Sequence, residues 1–129
     1  MRELRPHLRD ADELLDRVRR QRDAHGYELV YVDDDAGDVA ACAGYRLADF
    51  LAWGRTLYVD DLVTREAARG RGYGMVLMRW LEARAREQGC EQFHLDSGTH
   101  RLPAHRLYHR AGMGITAFHF ARDLRPPHA

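Results

Sequence analysis

The sequence predicts an α/β domain in which a mixed sheet packs against helices, and three observations carry this prediction. Hydrophobic residues recur with the period of a strand in some segments and with the period of a helix in others. Capping residues and glycines lie at the boundaries between segments of strand period and segments of helix period. The 129 residues, 45% of them hydrophobic, suffice for one core. We therefore expect a single domain over residues 1–129.

The first half of the chain predicts a helix followed by a hairpin. Asp10 and Glu13 form a capping-box pattern, and Gly26 is a stop signal. Two β-prone segments then flank an acidic turn. These signals predict a helix over Ala11–His25 and strands over Tyr27–Val32 and Val39–Leu47.

The second half continues the alternation of strands and helices. The segment Ala48–Gly54 is ambiguous, and its end, Trp53-Gly54, could be a loop near a pocket. Beyond it, two amphipathic segments have helical spacing, and three segments have the composition of strands. The predicted elements are strands over Arg55–Thr64, Gln92–Asp96 and Ile115–Leu124, and helices over Met75–Gln88 and Arg101–Arg110.

Composition excludes some classes of partner. Lys+Arg and Asp+Glu each number 20, so the chain lacks the basic excess typical of binding to nucleic acid or to an anionic membrane. No apolar run could span a bilayer, and Met1–Asp12 lacks the apolar core of a signal peptide, so we expect a cytoplasmic protein. Cys42 and Cys90 lie in apolar segments and are interpreted as buried hydrophobes rather than catalytic thiols.

A glycine-rich segment, Arg69–Gly74, lies between a predicted strand and a predicted helix. The start of a helix has unpaired N–H groups and a partial positive charge. Glycines let the backbone turn tightly and approach a ligand closely, and Arg69 and Arg71 add positive charge. The segment therefore predicts a phosphate or diphosphate site.

Two common phosphate-binding motifs do not fit this segment. A P-loop has Lys and Ser or Thr after its last glycine, where this chain has Met75 and Val76. A dinucleotide-binding fingerprint is spaced Gly-x-Gly-x-x-Gly, unlike Gly70, Gly72 and Gly74. The segment does match Arg/Gln-x-x-Gly-x-Gly/Ala, and in this it resembles the GCN5-related N-acetyltransferases, the GNAT family.

The resemblance extends to a second motif downstream. The family often shows Asn-x-x-Ala-x-x-x-Tyr-x-x-x-Gly-Phe, and this chain has Arg101, Ala104, Tyr108, Gly112 and Met113 at those positions. Ala, Tyr and Gly match, whereas the Asn and the Phe are replaced. The order and spacing of loop and helix make the resemblance more specific than either motif alone.

The resemblance implies a mixed, mostly antiparallel central sheet, flanked by helices and splayed where the cofactor inserts. The implied cofactor is acetyl-coenzyme A, a co-substrate. Its diphosphate would bind the N–H groups of the glycine-rich loop, and its pantetheine arm would pair with the strand before the loop. The residues that the resemblance assigns to the cofactor are Leu62, Val63, Thr64, Arg69, Gly70, Arg71, Gly72, Tyr73, Gly74, Arg101 and Ala104.

Transfer of an acetyl group to an amine requires a base, a stabilised oxyanion and a proton donor for the leaving thiolate. By resemblance Tyr108 is the donor, and a backbone N–H near Leu62 or Val63 stabilises the oxyanion. Asp60 and Asp61 are the candidate bases, because two close carboxylates disfavour each other's charged form. Since successive strand residues face opposite sides, only one of the two is expected to face the cleft. A histidine or a water remains an alternative base.

The histidines and aromatic residues suggest further roles. His105 and His109 have a spacing that can hold zinc, but the rest of a zinc motif is missing, so no metal is predicted. His100 could relay a proton. The predicted substrate-binding residues are Trp53, Tyr58 and Asp60, which with Asp61 would form an acidic, aromatic mouth suited to a cationic amine.

The expected function is an acetyl-CoA-dependent N-acetyltransferase that moves the acetyl group directly to a primary amine of a small molecule or a protein. A non-catalytic acyl-CoA-binding module of the same fold is the alternative. The zero net charge opposes a nucleic-acid-binding role for the Arg-Gly segment. The expected partner is a small-molecule or peptide amine. Members of this family often form dimers, so a homodimer stays open.

Overall fold

The structure is a computed structural model that describes residues 1–127. Helices and strands alternate along the chain as the sequence predicts, and the predicted α/β fold class is confirmed. In order, the elements are α1 (Ala11–His25), β1 (Glu28–Asp33), β2 (Val39–Phe50), β3 (Gly54–Thr64), a 3-10 turn (Glu66–Ala68), α2 (Tyr73–Glu87), β4 (Gln92–Leu95) and α3 (Leu102–Arg110).

Helix α1 begins and ends at the predicted signals. The side chain of Asp10 accepts a hydrogen bond from the N–H of Glu13 at 2.8 Å, which satisfies one unpaired amide of the first turn. Gly26 adopts a left-handed conformation with φ of 69°, and its N–H bonds back to the helix. The predicted bounds of this helix are therefore confirmed.

The sheet is mixed and mostly antiparallel. Its strand order among the described residues is β1-β2-β3-β4. Strands β1 and β2 pair antiparallel, as do β2 and β3, whereas β3 and β4 pair parallel. The ambiguous segment Ala48–Gly54 forms the end of β2, a tight turn and the start of β3.

The core lies between the sheet and helix α2. Leu77 and Leu81 on the inner face of α2 pack against Leu57 and Val59 of β3, and all four are at most 3% exposed. Burial of such a side chain contributes roughly 1.5–3 kcal/mol of folding free energy. Tyr108 of α3 joins this cluster, so the core holds α3 against the sheet.

Strands β3 and β4 separate partway along their length. Pairing joins Thr56–Val59 to Gln92–Leu95 and stops there, although β3 continues to Thr64. The backbone of the last residues of β3 is therefore free on the side that faces α3. This separation is the predicted splay of the sheet.

The predicted strand over Ile115–Leu124 is wrong. Those residues belong to no strand or helix, and Phe118 and Phe120 are 85% and 93% exposed. The alternation of large residues with polar ones has strand periodicity, but a strand also needs a neighbour to pair with. Within residues 1–127 this segment has none.

No helix among residues 1–127 is long and apolar enough to cross a membrane. Of the cysteines, Cys42 is buried and Cys90 is half-buried, and each is a free thiol.

Candidate functional site

A β-bulge brings Asp60 and Asp61 to the same cavity. Gly44 of β2 pairs with Asp61, but the next residue, Tyr45, pairs with Val59, so Asp60 is the extra residue. Both residues line one cavity of about 330 Å³. The expectation that only one would face the cleft is therefore wrong, because the bulge interrupts the alternation on which it was based.

Asp61 is held by two donors. The Nε of Arg5 donates to its Oδ1, and the hydroxyl of Tyr27 donates to its Oδ2, each at 2.7 Å. The guanidinium of Arg5 also donates to the carbonyl oxygen of Asp60 at 3.1 Å. The amino-terminal segment is thereby bound across the bulge, where Leu4 and Arg5 form part of the cavity wall.

Tyr27 reaches Asp61 across a glycine. A Cβ added at Gly44 would lie 1.6 Å from the Tyr27 hydroxyl oxygen, so no larger residue leaves room for this contact. Burial raises the pKa of Tyr27, and the adjacent negative charge of Asp61 raises it further. The hydroxyl therefore keeps its proton and continues to donate to the carboxylate.

Asp60 forms an ion pair with Arg46 of β2. The guanidinium of Arg46 also lies 5.8 Å from the centre of the Tyr27 ring. A third carboxylate at the cavity, Asp96, accepts a hydrogen bond from Tyr58. Burial raises the pKa of Tyr58, so this hydroxyl also remains a donor. Each of these cavity carboxylates is thus held in place by a protein side chain.

The glycine-rich loop leaves a run of amides without protein acceptors. Gly70 and Gly72 have φ of 80° and 87°, a conformation that glycine adopts without strain. The first bond into α2 runs from the N–H of Val76 to the carbonyl of Gly72. Within residues 1–127, the six N–H groups from Gly70 to Met75 donate to no protein oxygen. They lie at the positive end of the α2 dipole.

These amides open into a cleft of about 660 Å³ between the splayed end of β3 and helix α3. A Cβ at Gly72 would meet no atom within 4 Å, so the space beside the loop is open. A Cβ at Gly74 would lie 3.0 Å from Leu107, so this glycine allows α2 to pack closely on α3. A row of amides at a helix start, beside an arginine, fits a diphosphate group. The predicted cofactor residues that line the cleft are Leu62, Val63, Thr64, Arg69, Gly70, Gly72, Tyr73, Gly74, Arg101 and Ala104.

The two arginines of the loop differ in position. Arg71 does not line the cleft. The Nε of Arg69 donates to the carbonyl of Thr64 at 3.2 Å, and its guanidinium lies 3.5 Å from the carboxylate of Glu3. Arg69 is therefore fixed at the rim of the cleft, where its charge adds to the field of the helix start.

The cavity and the cleft meet at four residues, which line both: Leu62, His100, Arg101 and Tyr108. Tyr108 is 8% exposed. Burial raises the pKa of Tyr108, and the positive charge of Arg101 opposes this rise. A phenol that stays protonated through neutral pH has a proton available for an anion that forms beside it.

His100 packs over Gly98, where an added Cβ would lie 2.8 Å from the imidazole ring. Among residues 1–127, no hydrogen bond engages this ring, whereas the rings of His105 and His109 bond to carbonyl oxygens at 2.7 and 3.3 Å. Within the same range, no three His, Cys, Asp or Glu side chains form a cluster that could hold a metal ion.

Two predicted substrate residues lie outside the cavity lining. Trp53 stacks on His94 of β4, with ring centres 3.9 Å apart, and Tyr58 is connected to the cavity through Asp96. Arg5 and Tyr27 were not predicted as site residues, and they are 56 and 34 residues away from Asp61 along the chain. No local pattern marks such contacts, because only the folded sheet brings those segments together.

Comparison with known proteins gives a family match over most of the chain. The family described as "Acetyltransferase (GNAT) family" matches residues 2–113. Streptothricin acetyltransferase of Streptomyces lavendulae is 34% identical over 93 residues, which are 72% of this chain and 47% of that protein. The uncharacterized N-acetyltransferase YhdJ of Bacillus subtilis (strain 168) is 30% identical over 125 residues, 96% of this chain and 87% of that protein. The chain thus spans about half the length of the first relative and most of the second.

Solved structures share the fold. Ribosomal-protein-alanine N-acetyltransferase from Brucella melitensis biovar Abortus 2308 has a TM-score of 0.75 and 16% identity, covering 92% of this chain and 85% of its own. Glucosamine-6-phosphate N-acetyltransferase from Arabidopsis thaliana has a TM-score of 0.70 and 17% identity, covering 88% of this chain and 76% of its own. At these identities the likeness establishes a common fold.

Proposed function

Because this chain belongs to the acetyltransferase (GNAT) family, we propose that it moves an acetyl group from acetyl-coenzyme A directly to a primary amine. One observation carries the proposal. The cleft that begins at the free amides of Gly70–Met75 meets the cavity that holds Asp60 and Asp61, and the buried Tyr108 lies where they meet. A thioester lying in the cleft would present its acetyl group to an amine in the cavity.

Binding of coenzyme A follows from the donors of the cleft. The amides of Gly70–Met75 and the charge of Arg69 would hold the diphosphate. The free backbone of Leu62–Thr64 would pair with the amides of the pantetheine arm. Acetyl-coenzyme A would supply an activated acetyl group as a thioester. A backbone N–H near Leu62 or Val63 would stabilise the negative charge on the carbonyl oxygen.

Proton transfer is assigned to the residues at the junction. Tyr108 would donate its proton to the departing thiolate, because its burial keeps it protonated. His100 is the base that the geometry favours, since within residues 1–127 no hydrogen bond engages its ring and the residue lines both spaces. Asp60 and Asp61 remain candidates, although both are engaged by arginines.

The carboxylates of the cavity have a second use. A primary amine is mostly protonated at neutral pH, and Asp60, Asp61 and Asp96 would attract that cation to the cavity. The amine must lose its proton before it attacks the thioester, so binding and deprotonation are separate tasks. In this division, the carboxylates of the cavity attract the cationic amine, and the residues at the junction of cavity and cleft transfer the protons.

A turnover screen tests the proposal. Thiol release from acetyl-coenzyme A is followed with polyamines, amino acids, aminoglycosides, peptides and streptothricin, the last because one relative is named for it. We expect release with at least one amine and its loss in Tyr108→Phe. Tyr31→Phe, on an exposed residue of β1, is the matched control and keeps full turnover. Coenzyme A binding without turnover for any amine would favour the non-catalytic binding module.

A further inference from the structure

A short segment before α1 reaches both the cavity and the rim of the cleft. Residues Glu3–Arg5, here named the brace, lie in a series of turns in which the N–H groups of Leu4 and Arg5 donate to the carbonyl of Met1, at 3.1 and 2.9 Å. The N–H of Leu8 donates to the carbonyl of Arg5 at 3.0 Å. The brace is therefore folded on itself, and its side chains extend from a fixed backbone.

Arg5 binds the chain just before the free edge of β3. Its Nε donates to Oδ1 of Asp61 at 2.7 Å, and its Nη2 donates to the carbonyl oxygen of Asp60 at 3.1 Å. One guanidinium thus holds both a side chain and the backbone of the bulge, and hydrogen bonds between charged groups are the stronger ones. The bulge is followed directly by Leu62–Thr64, whose backbone has no strand partner on the α3 side within residues 1–127.

Glu3 binds the chain just after that free edge. Its carboxylate oxygens accept from the N–H of Glu66 at 2.9 and 3.2 Å. Glu66 begins the 3-10 turn, and Arg65 before it makes no capping bond with its side chain. Glu3 therefore supplies, from 63 positions away, the acceptor that a capping residue would supply. The same Oε1 also lies 3.5 Å from the guanidinium of Arg69, at the rim of the cleft.

The two ends of the brace enclose the part of β3 that is assigned to the pantetheine arm. Strand β2 pairs with one edge of Leu62–Thr64, and the brace holds the chain on either side of this stretch. The N–H and C=O groups of its other edge are thereby in place before a ligand arrives. Such preorganisation lowers the ordering cost of binding.

Glu3 also orders the arginine at the rim. Without Glu3, the side chain of Arg69 would keep only the bond from its Nε to the carbonyl of Thr64, and its guanidinium would have to be immobilised when the diphosphate binds. We propose that Glu3 and Arg5 are positioning residues, which set the free edge of Leu62–Thr64 and the guanidinium of Arg69 in the arrangement that coenzyme A requires. This inference rests on the proposed function, because it takes coenzyme A as the ligand of the cleft.

Hydrogen exchange followed by nuclear magnetic resonance tests the brace without any ligand. The N–H of Glu66 makes no backbone bond among residues 1–127, so its protection depends on Glu3. Glu3→Ala should remove this protection, and Glu3→Gln, which keeps one side-chain oxygen, should restore it. The amide of Arg65, which donates to the carbonyl of Ala40 at 2.8 Å, is the internal reference. Unchanged protection of Glu66 in Glu3→Ala would overturn the proposal.

Calorimetric titration with coenzyme A tests the positioning role. Glu3→Ala should raise the Kd roughly 2- to 10-fold, the ordering cost of one long side chain, and Glu3→Gln should recover most of this loss. Glu13→Ala is the matched control, because it removes a carboxylate that accepts a backbone N–H at 3.2 Å outside the cleft, and it should leave the Kd unchanged. A purely electrostatic effect would have the opposite sign, since both Glu3 variants lose a negative charge beside Arg69 and would bind the diphosphate more tightly. Tighter binding in both variants would therefore overturn the proposal.

A double substitution tests whether the two ends act together. Arg5→Gln should also raise the Kd, and Glu3→Ala combined with Arg5→Gln should raise it by less than the product of the two single effects, because either change releases the same segment. A full product would mean independent contacts and would overturn the brace. Wild-type binding with equal Kd values in Glu3→Ala and Glu13→Ala would overturn this inference alone, whereas a wild type that does not bind coenzyme A would overturn the proposed function with it. The side chains of Glu3 and Arg5 are 38% and 41% exposed, and urea unfolding checks that each variant keeps its fold.

Discussion

The hydroxyl of Tyr27 lies 2.7 Å from Oδ2 of Asp61, across the backbone of Gly44. Gly44 is also the β2 partner of Asp61, at the point where the register of the two strands shifts. One glycine therefore permits the contact that fixes one of the carboxylates at the bulge. Because the bulge lines the cavity, this contact connects the stability of the fold to the geometry of the site.

The Tyr27–Asp61 contact predicts a stability difference between two substitutions. Tyr27→Phe removes one part-buried hydrogen bond to a charged group and should lower the free energy of unfolding by roughly 1.5–3 kcal/mol. Gly44→Ala should cost more, since its Cβ would displace the whole ring. Gly114→Ala is the control, because a Cβ there meets no atom within 4 Å. Urea unfolding measures the free energy of unfolding of all three variants. Equal losses of stability in Gly44→Ala and Gly114→Ala would show that the space at Gly44 is not needed for the Tyr27–Asp61 contact.

Stability should fall in alkaline solution. The pKa of Tyr27 is raised in the folded protein above the value near ~10 of an unfolded chain. The folded state therefore binds this proton more tightly, so the stabilisation is complete below about pH 10 and is lost as the pH rises beyond it. Denaturant unfolding between pH 8 and pH 11 should show this decline, and Tyr27→Phe should make it shallower. An equally steep decline in Tyr27→Phe would mean that other groups control it.

Tyr108 is predicted to act in the chemical step and not in binding. Tyr108→Phe should lower kcat by roughly 100-fold or more, the range of general acid catalysis, and should leave the Kd for coenzyme A nearly unchanged. Steady-state kinetics and calorimetry separate the two quantities. If Kd rose as much as kcat fell, Tyr108 would be a packing residue of the core.

His100 and Asp61 should differ in the kinetic constant that they affect. His100→Gln should remove the acceptor of the amine proton and lower kcat by roughly 100-fold or more. Asp61→Asn should mainly raise KM for the amine, because it removes an attracting charge. His109→Gln, whose ring bonds to the carbonyl of Met113, is the control. A fall in kcat in Asp61→Asn as large as that in His100→Gln would instead assign the base to the carboxylate.

The sequence predicted the parts of this molecule that depend on local signals. The capping box and Gly26 determine where α1 begins and ends, and the arginine-glycine pattern identifies one wall of the cleft. The bulge at Asp60 was not predictable, since it arises from the register of β2 against β3 and not from either strand alone. The hydrogen bond from Arg5 to Asp61 depends on that register too. The segment Ile115–Leu124 has strand periodicity, but whether it pairs depends on a neighbouring strand, which periodicity does not describe.

The conformation of Gly72 allows a binding test with a matched control. Gly72 and Gly89 have similar φ, 87° and 71°, and a Cβ at either meets no atom within 4 Å. Alanine should therefore strain both positions alike, by about 1–2 kcal/mol. Only at Gly72 would the Cβ occupy the cleft, and loss of one charged hydrogen bond there would weaken coenzyme A roughly 10- to 100-fold. Equal Kd values for the two variants would show that the loop does not contact the cofactor.

The most direct measurement follows the backbone amides of Gly70–Met75 by nuclear magnetic resonance during titration with coenzyme A. We expect large chemical-shift changes at Gly70, Gly72 and Gly74 with coenzyme A and small ones with pantetheine, which lacks the diphosphate. Shifts of equal size with pantetheine, or shifts that leave this loop unchanged while coenzyme A binds elsewhere, would contradict this expectation.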